Sequence, residues 1–194
     1  ISRVEILKGN QSSVYGSGAI GGTINITTKK GKPGFHKDIN YMTGSHGTHN
    51  LSTSLSGANE KNNFFIVLER FQTDGISTMM HNNEKDKYRN NSLVGNYGRT
   101  ISDKLEFTTN TRVAETYLQY DAEAKGKANN EEQDALEASS NVSLVYKPIE
   151  NFTNKFTVAN TYIKRIYNAA PGSNNTSKDN YYGDRYAFMY SGNY

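Results

Sequence analysis

Two acidic stretches hold the residues whose types and spacing could do chemistry. Asn82-Asn83-Glu84-Lys85-Asp86 sets two carboxylates in one polar segment, and Asp121, Glu123, Glu131, Glu132 and Asp134 flank or fill the next. Carboxylates are hard oxygen donors, and oxygen ligands from two neighbouring loops suit calcium. The competing reading is an acidic, solvated loop surface that holds no ion. The histidines, His36, His46, His49 and His81, offer less. His46-Gly47-Thr48-His49 has H-x-x-H spacing but falls in a turn, whereas a helical metal pair needs a helix; solvated loop histidines are expected there. No Ser/His/Asp order has a supporting context. The chain has no cysteine, which excludes a thiolate metal site and a disulfide scaffold. No catalytic constellation emerges, and an enzyme is not expected.

A Gly-rich stretch imitates a cofactor motif. Gly16-Ser17-Gly18-Ala19-Ile20-Gly21 fits G-x-G-x-x-G. That fingerprint needs a helix opening at the glycines, so that its N-terminal amides hold a pyrophosphate. The residues that follow, Gly22-Thr23-Ile24-Asn25-Ile26-Thr27-Thr28, are poor helix formers that alternate as a strand does. Asp38 stands near the distance of the usual ribose acid, but no βαβ unit surrounds it.

The elements that would position these residues are strands. Hydrophobic residues make up 35% of the 194, below the usual value of about 45–50%, which also counts glycine. Tyr is abundant at 14, Trp is absent and the mean hydropathy is −0.77. So polar a chain with so many aromatic and β-branched residues fits a transmembrane barrel, in which only one face of each strand meets lipid. The longest clean apolar run, residues 64–68, is far short of the roughly 20 that a spanning helix needs. The net charge of +3 comes from scattered Lys and Arg, with no basic stripe to suggest nucleic acid.

Eight segments of alternating hydrophobicity follow residue 34: 36–43, 48–59, 64–73, 88–101, 105–121, 138–147, 154–167 and 181–194. The phases are set by Leu51, Thr53 and Leu55; Leu93 and Tyr97; Leu105, Phe107 and Val113; Val142, Leu144 and Tyr146; Phe156, Val158 and Tyr162; and Tyr186, Phe188 and Tyr190. The turns at 60–63, 102–104 and 148–153 are short, and the connections 75–87, 122–137 and 168–180 are long and polar. Such alternation is how outer-membrane barrels are built, although the first outer connection, 44–47, is short. Tyr88, Tyr117, Tyr120, Tyr146, Tyr162, Tyr167, Tyr181 and Tyr182 lie near strand ends, as an interfacial aromatic girdle would. Ordinary strand preference of Tyr is the alternative.

The opening residues carry a family likeness. Val4, Ile6 and Leu7 make a short apolar strand, Gly9-Asn10 breaks it, Gly16 to Gly22 form a glycine-rich turn, and Ile24 and Ile26 alternate through a second strand. VEILKG, YGSGAIGG and TINITTKKG, in that order, resemble the end of the plug domain of TonB-dependent outer-membrane receptors. The resemblance implies an all-β fold: residues 1–34 as the C-terminal part of a plug, and 35–194 as the first strands of a transmembrane antiparallel β-barrel. Plugged transporters use about 22 strands, so about eight strands imply an internal piece of a larger protein. The absence of a signal peptide points the same way.

The implied function is TonB-dependent import of a scarce nutrient across the bacterial outer membrane. The partners would be the nutrient, the inner-membrane energy-coupling complex and outer-membrane lipid. Residues 71–121 look most like the cobalamin receptors, through Thr73-Asp74-Gly75 and Gln119-Tyr120-Asp121. Those receptors bind calcium in two outer loops, and the matching positions are Glu84, Asp86, Asp121 and Asp134, with Lys85 and Lys125 among the acids as a departure. Cobalamin is thus the first expectation, a ferric-siderophore or haem receptor the second, and a non-transport barrel such as an adhesin or passive porin the rival class. No cofactor is required beyond that possible calcium.

Overall fold

The computed structural model describes residues 1–77, 85–121, 130–169 and 178–194. The chain opens with a small hairpin. Strand β1 (Arg3–Lys8) pairs antiparallel with β2 (Gly22–Thr27), placing Val4 opposite Ile26 and Ile6 opposite Ile24. A one-turn helix, α1 (Ser12–Tyr15), stands between them, a detail absent from the expected strand–turn–strand order. Gly22 has φ 138°, and a Cβ there would lie 2.5 Å from the Leu7 carbonyl oxygen. Only glycine suits that crossing.

Eight strands follow and form one antiparallel sheet in strict chain order. They are β3 (Gly34–Gly44), β4 (Thr48–Ala58), β5 (Asn62–Thr73), β6 (Tyr88–Ser102), β7 (Leu105–Asp121), β8 (Asn130–Ile149), β9 (Phe152–Asn168) and β10 (Lys178–Asn193). Each expected segment is one of these strands, and seven agree within three residues at either end. The register keeps the anticipated apolar phases on one face. Leu55 pairs with Ile66, Leu68 with Leu93, Leu93 with Val113, Phe107 with Leu144, Val142 with Val158, and Val158 with Phe188. Because side chains alternate, one such row fixes the facing of the whole sheet.

The sixth segment differs. β8 starts at Asn130, eight residues before the expected 138, so Glu131, Glu132 and Asp134 lie on a paired strand and not in a loop. The cause is plain in the sequence: Glu131, Glu132, Gln133 and Asp134 are polar on both faces. No hydrophobic alternation survives there to signal a strand, yet the ladder with β7 continues to Asp121↔Asn130.

Almost nothing is buried. Ala19, Ser56, Gly57, Gly98, Ala114, Ala135 and Ser143 are the buried residues among those described, while Ile39 is 77% and Phe188 78% exposed. The accessible surface is 13701 Å², against about 9,200 Å² for a compact monomer of this mass. A soluble domain would leave no such row of aliphatic and aromatic side chains open to water. The apolar face of this sheet has no protein to cover it and suits contact with lipid.

Candidate functional site

The opening segment lies on the opposite, polar face. Asn96 Nδ2 donates to the Lys29 carbonyl oxygen at 2.6 Å and to Thr28 Oγ1 at 3.2 Å. Two residues on, a Cβ at Gly31 would collide with the carbonyl oxygens of Gly57 and Phe64, so the chain passes the β4–β5 turn in close backbone contact. Between Ile26, Thr28 and Lys29 on one side and Asn40, Asn90 and Arg112 on the other is a cavity of about 710 Å³.

This inner face is held by polar cross-strand pairs. Asn110 donates to Asn141 at 3.1 Å, Asn90 to Thr116 at 2.8 Å and Asn50 to Glu69 at 2.9 Å, and Ser143 and Thr157 share a bond of 2.8 Å. Above them Glu137 joins two cations: Arg165 Nη2 lies 3.2 Å from one carboxylate oxygen and Arg112 Nη1 3.6 Å from the other. All three side chains are partly open to solvent, so the network orders the wall more than it stabilises the fold.

The tyrosines divide by strand parity. Tyr117, Tyr146, Tyr162 and Tyr182 share the register of the apolar face. Arg89 sits 5.4 Å from the Tyr117 ring centroid and Lys164 5.8 Å from that of Tyr182, as cations beside interfacial aromatics do. Tyr88, Tyr120, Tyr167 and Tyr181 have the opposite parity and face inward, so the girdle reading holds for only half of the eight. The inward tyrosines were legible only as strand-end aromatics; their facing needed the register. With Glu131, Arg165 and Asp179, Tyr120, Tyr167 and Tyr181 line a second cavity of about 600 Å³ at the outer ends of β7 to β10.

The four acids matched to a calcium site do not gather as a set. Glu84 lies outside the described residues. Asp86 and Asp121 both lie at the outer end of the β6–β7 ladder, which a bond from Gln119 N to the Lys87 carbonyl at 2.8 Å extends, in a register that sets Lys85 and not Asp86 opposite Asp121. Asp134 pairs with Tyr117, four residues below the Asp121↔Asn130 pair, which is about 13 Å along the strand. That gap is too long for Asp121 and Asp134 to share one ion directly, since Ca²⁺–O bonds run about 2.3–2.6 Å. Among the described residues no three His, Asp or Glu side chains form a group able to hold a metal. The histidines likewise stay apart: His49 Nδ1 meets Tyr41 Oη at 2.8 Å, and the His46 carbonyl accepts from Asp74 N at 2.9 Å. His81 is outside the described residues.

No protein-family model matches the chain. In sequence it is similar to the vitamin B12 transporter BtuB of Photobacterium profundum, 29% identical over 106 residues, which cover 53% of this chain and 18% of the relative. In fold it is similar to the siderophore receptor PiuA from Acinetobacter baumannii, with a TM-score of 0.69 and 16% identity over 84% of this chain and 26% of that one. The matched region is thus under a third of either relative's length. One is a transporter and the other a receptor; neither is an enzyme. The sequence likeness to a vitamin B12 transporter and the fold likeness to a siderophore receptor both accord with the resemblance carried by the opening segment.

Proposed function

We propose that this chain belongs to a plugged outer-membrane receptor that imports a scarce nutrient, and that the nutrient is cobalamin. Residues 1–34 are then the end of the plug and 35–194 the first strands of the barrel. The observation that carries the reading is the opening segment seated on the polar face of an antiparallel strand meander, through Asn96 to Thr28 and Lys29. A passive porin needs an open, water-filled lumen, which a segment seated on the inner face obstructs.

The chemistry required is binding and gating, with no bond made or broken. The outward face supplies apolar contact with lipid, and the inward face supplies a wetted wall of Asn, Ser and Thr along which a solute exchanges hydrogen bonds at little cost. Plug residues close the path until the TonB complex of the inner membrane pulls them aside. The similarity to a vitamin B12 transporter supports cobalamin. The fold of a siderophore receptor keeps an iron chelate as the second reading.

Calcium belongs to the same proposal in a narrower form. Asp86 and Asp121, with Glu84, which lies outside the described residues, are the acids proposed to bind it, and Asp134 is set apart. The test is a titration of the intact receptor in detergent with cyanocobalamin, with and without a calcium chelator. Tight binding that weakens on chelation supports both parts. Absence of binding moves the substrate to an iron chelate or haem and returns the acids to solvated surface.

A further inference from the structure

The outer, inward-facing cavity has a composition that selects among ligands. Its wall is aromatic: Tyr167 and Tyr181 meet edge to face, with centroids 5.6 Å apart and planes at 90°, and Tyr120 lines the same cavity. Its charges are balanced towards acid. Arg165 is held at 3.2 Å by Glu137, which also serves Arg112, so the triad carries one net positive charge. Glu131, opposite Tyr120 in the β7–β8 register, and Asp179, opposite Tyr167 in the β9–β10 register, add two negative charges. An anion entering here meets two carboxylates and an arginine already engaged. A flat conjugated group meets tyrosine faces and edges, whose quadrupoles favour stacking and tolerate positive charge.

We infer that the inner face at the outer ends of β7 to β10 is a stacking subsite for a flat, conjugated ligand group carrying no net negative charge, built from Tyr120, Tyr167 and Tyr181 and screened against anions by Glu131 and Asp179. This rests on the transport reading above and deepens it, because it favours an uncharged macrocycle over a polyanionic iron chelate. It also gives three of the four inward tyrosines a role that an interfacial girdle cannot.

The experiment uses the intact receptor in detergent and two probes, cyanocobalamin as an uncharged macrocycle and a ferric tris-catecholate as a polyanion. Wild type holds the macrocycle more tightly. The Tyr167→Leu, Tyr181→Leu pair weakens macrocycle binding at least about tenfold, while the Phe pair stays within about threefold. The Glu131→Gln, Asp179→Asn pair strengthens binding of the tris-catecholate relative to the macrocycle; no relative gain overturns the screen. Circular dichroism checks that each variant keeps its strands. If the leucine pair fails to fold, the acid-neutralised pair still decides the matter through its separate expected gain. Leucine variants that bind as wild type, or a wild type that prefers the polyanion, overturn the subsite and leave the transport reading standing. A folded receptor that binds neither probe overturns the subsite and the cobalamin assignment together.

Discussion

The turn-proximal half of the large sheet and its outer extension obey different rules, although the same strands run through both. Near the short turns the outward face carries Leu68, Leu93, Val113, Val142 and Phe156, and the inward face is mostly Asn, Ser and Thr, with Phe65, Val67 and Val94 as apolar exceptions. Beyond Glu115 on β7 and Leu136 on β8 the outward face itself turns polar. There Tyr117 donates to Glu132 at 2.7 Å, and Gln119 donates to the same oxygen at 3.2 Å. A tilted strand crosses lipid in about 9–11 residues, yet β7 has 17 and β8 has 20. The surplus projects into water, where neither face is obliged to be apolar. Pairing alone carries the sheet upwards, and side chains there are released for recognition.

The largest effect that would break this comparison is a charge placed on the outward face. Leu93→Arg, with neighbours Leu68 and Val113 in register, should cost about 2–4 kcal/mol in unfolding from lipid bilayers. Asp134→Arg, outward but in the extension, should cost under about 0.5 kcal/mol. Equal costs at the two sites would erase the boundary. Next in size is Gly31→Ala. Its methyl has no room against the carbonyls of Gly57 and Phe64, and should destabilise by about 1–3 kcal/mol, read as a lower denaturant midpoint in the intact receptor. Glu137→Ala leaves Arg112 and Arg165 facing each other without their shared carboxylate. For groups this exposed the cost should be about 1 kcal/mol and should shrink in high salt; a salt-independent loss would speak against the ion network. Smallest is Tyr117→Phe, which removes one bond to Glu132 in the extension and should cost about 0.5–1 kcal/mol in the same unfolding assay.

The two halves were also unequally legible in the sequence. Strand positions and facing could be read wherever lipid enforces alternation: Leu51, Thr53 and Leu55, or Phe156 and Val158, announce both strand and side. The first eight residues of β8 gave no such signal, because Glu131, Glu132, Gln133 and Asp134 are polar whichever way they point. Tyr120, Tyr167 and Tyr181 looked like girdle residues, and only the ladder shows them inward. The candidate metal acids were readable as residue types, but their placement is a matter of register: Asp86 and Asp121 lie at the outer end of the β6–β7 ladder, and Asp134 is set four residues down its strand. The helical turn at Ser12–Tyr15 is too short for any hydrophobic period to reveal.

The most direct test of two faces in lipid and none beyond it is a spin-label scan along β8. The chain has no native cysteine, so single substitutions from residue 131 to 144 in the intact receptor can each carry one label in a bilayer. Collision with dissolved oxygen reports lipid, and collision with a water-soluble nickel chelate reports water. The account predicts oxygen access at Ala138, Val142 and Leu144, chelate access at Ser139, Asn141 and Ser143, and chelate access on both parities from Glu131 to Asp134. Uniform access across 138–144, or alternation continuing down to 131, would contradict it.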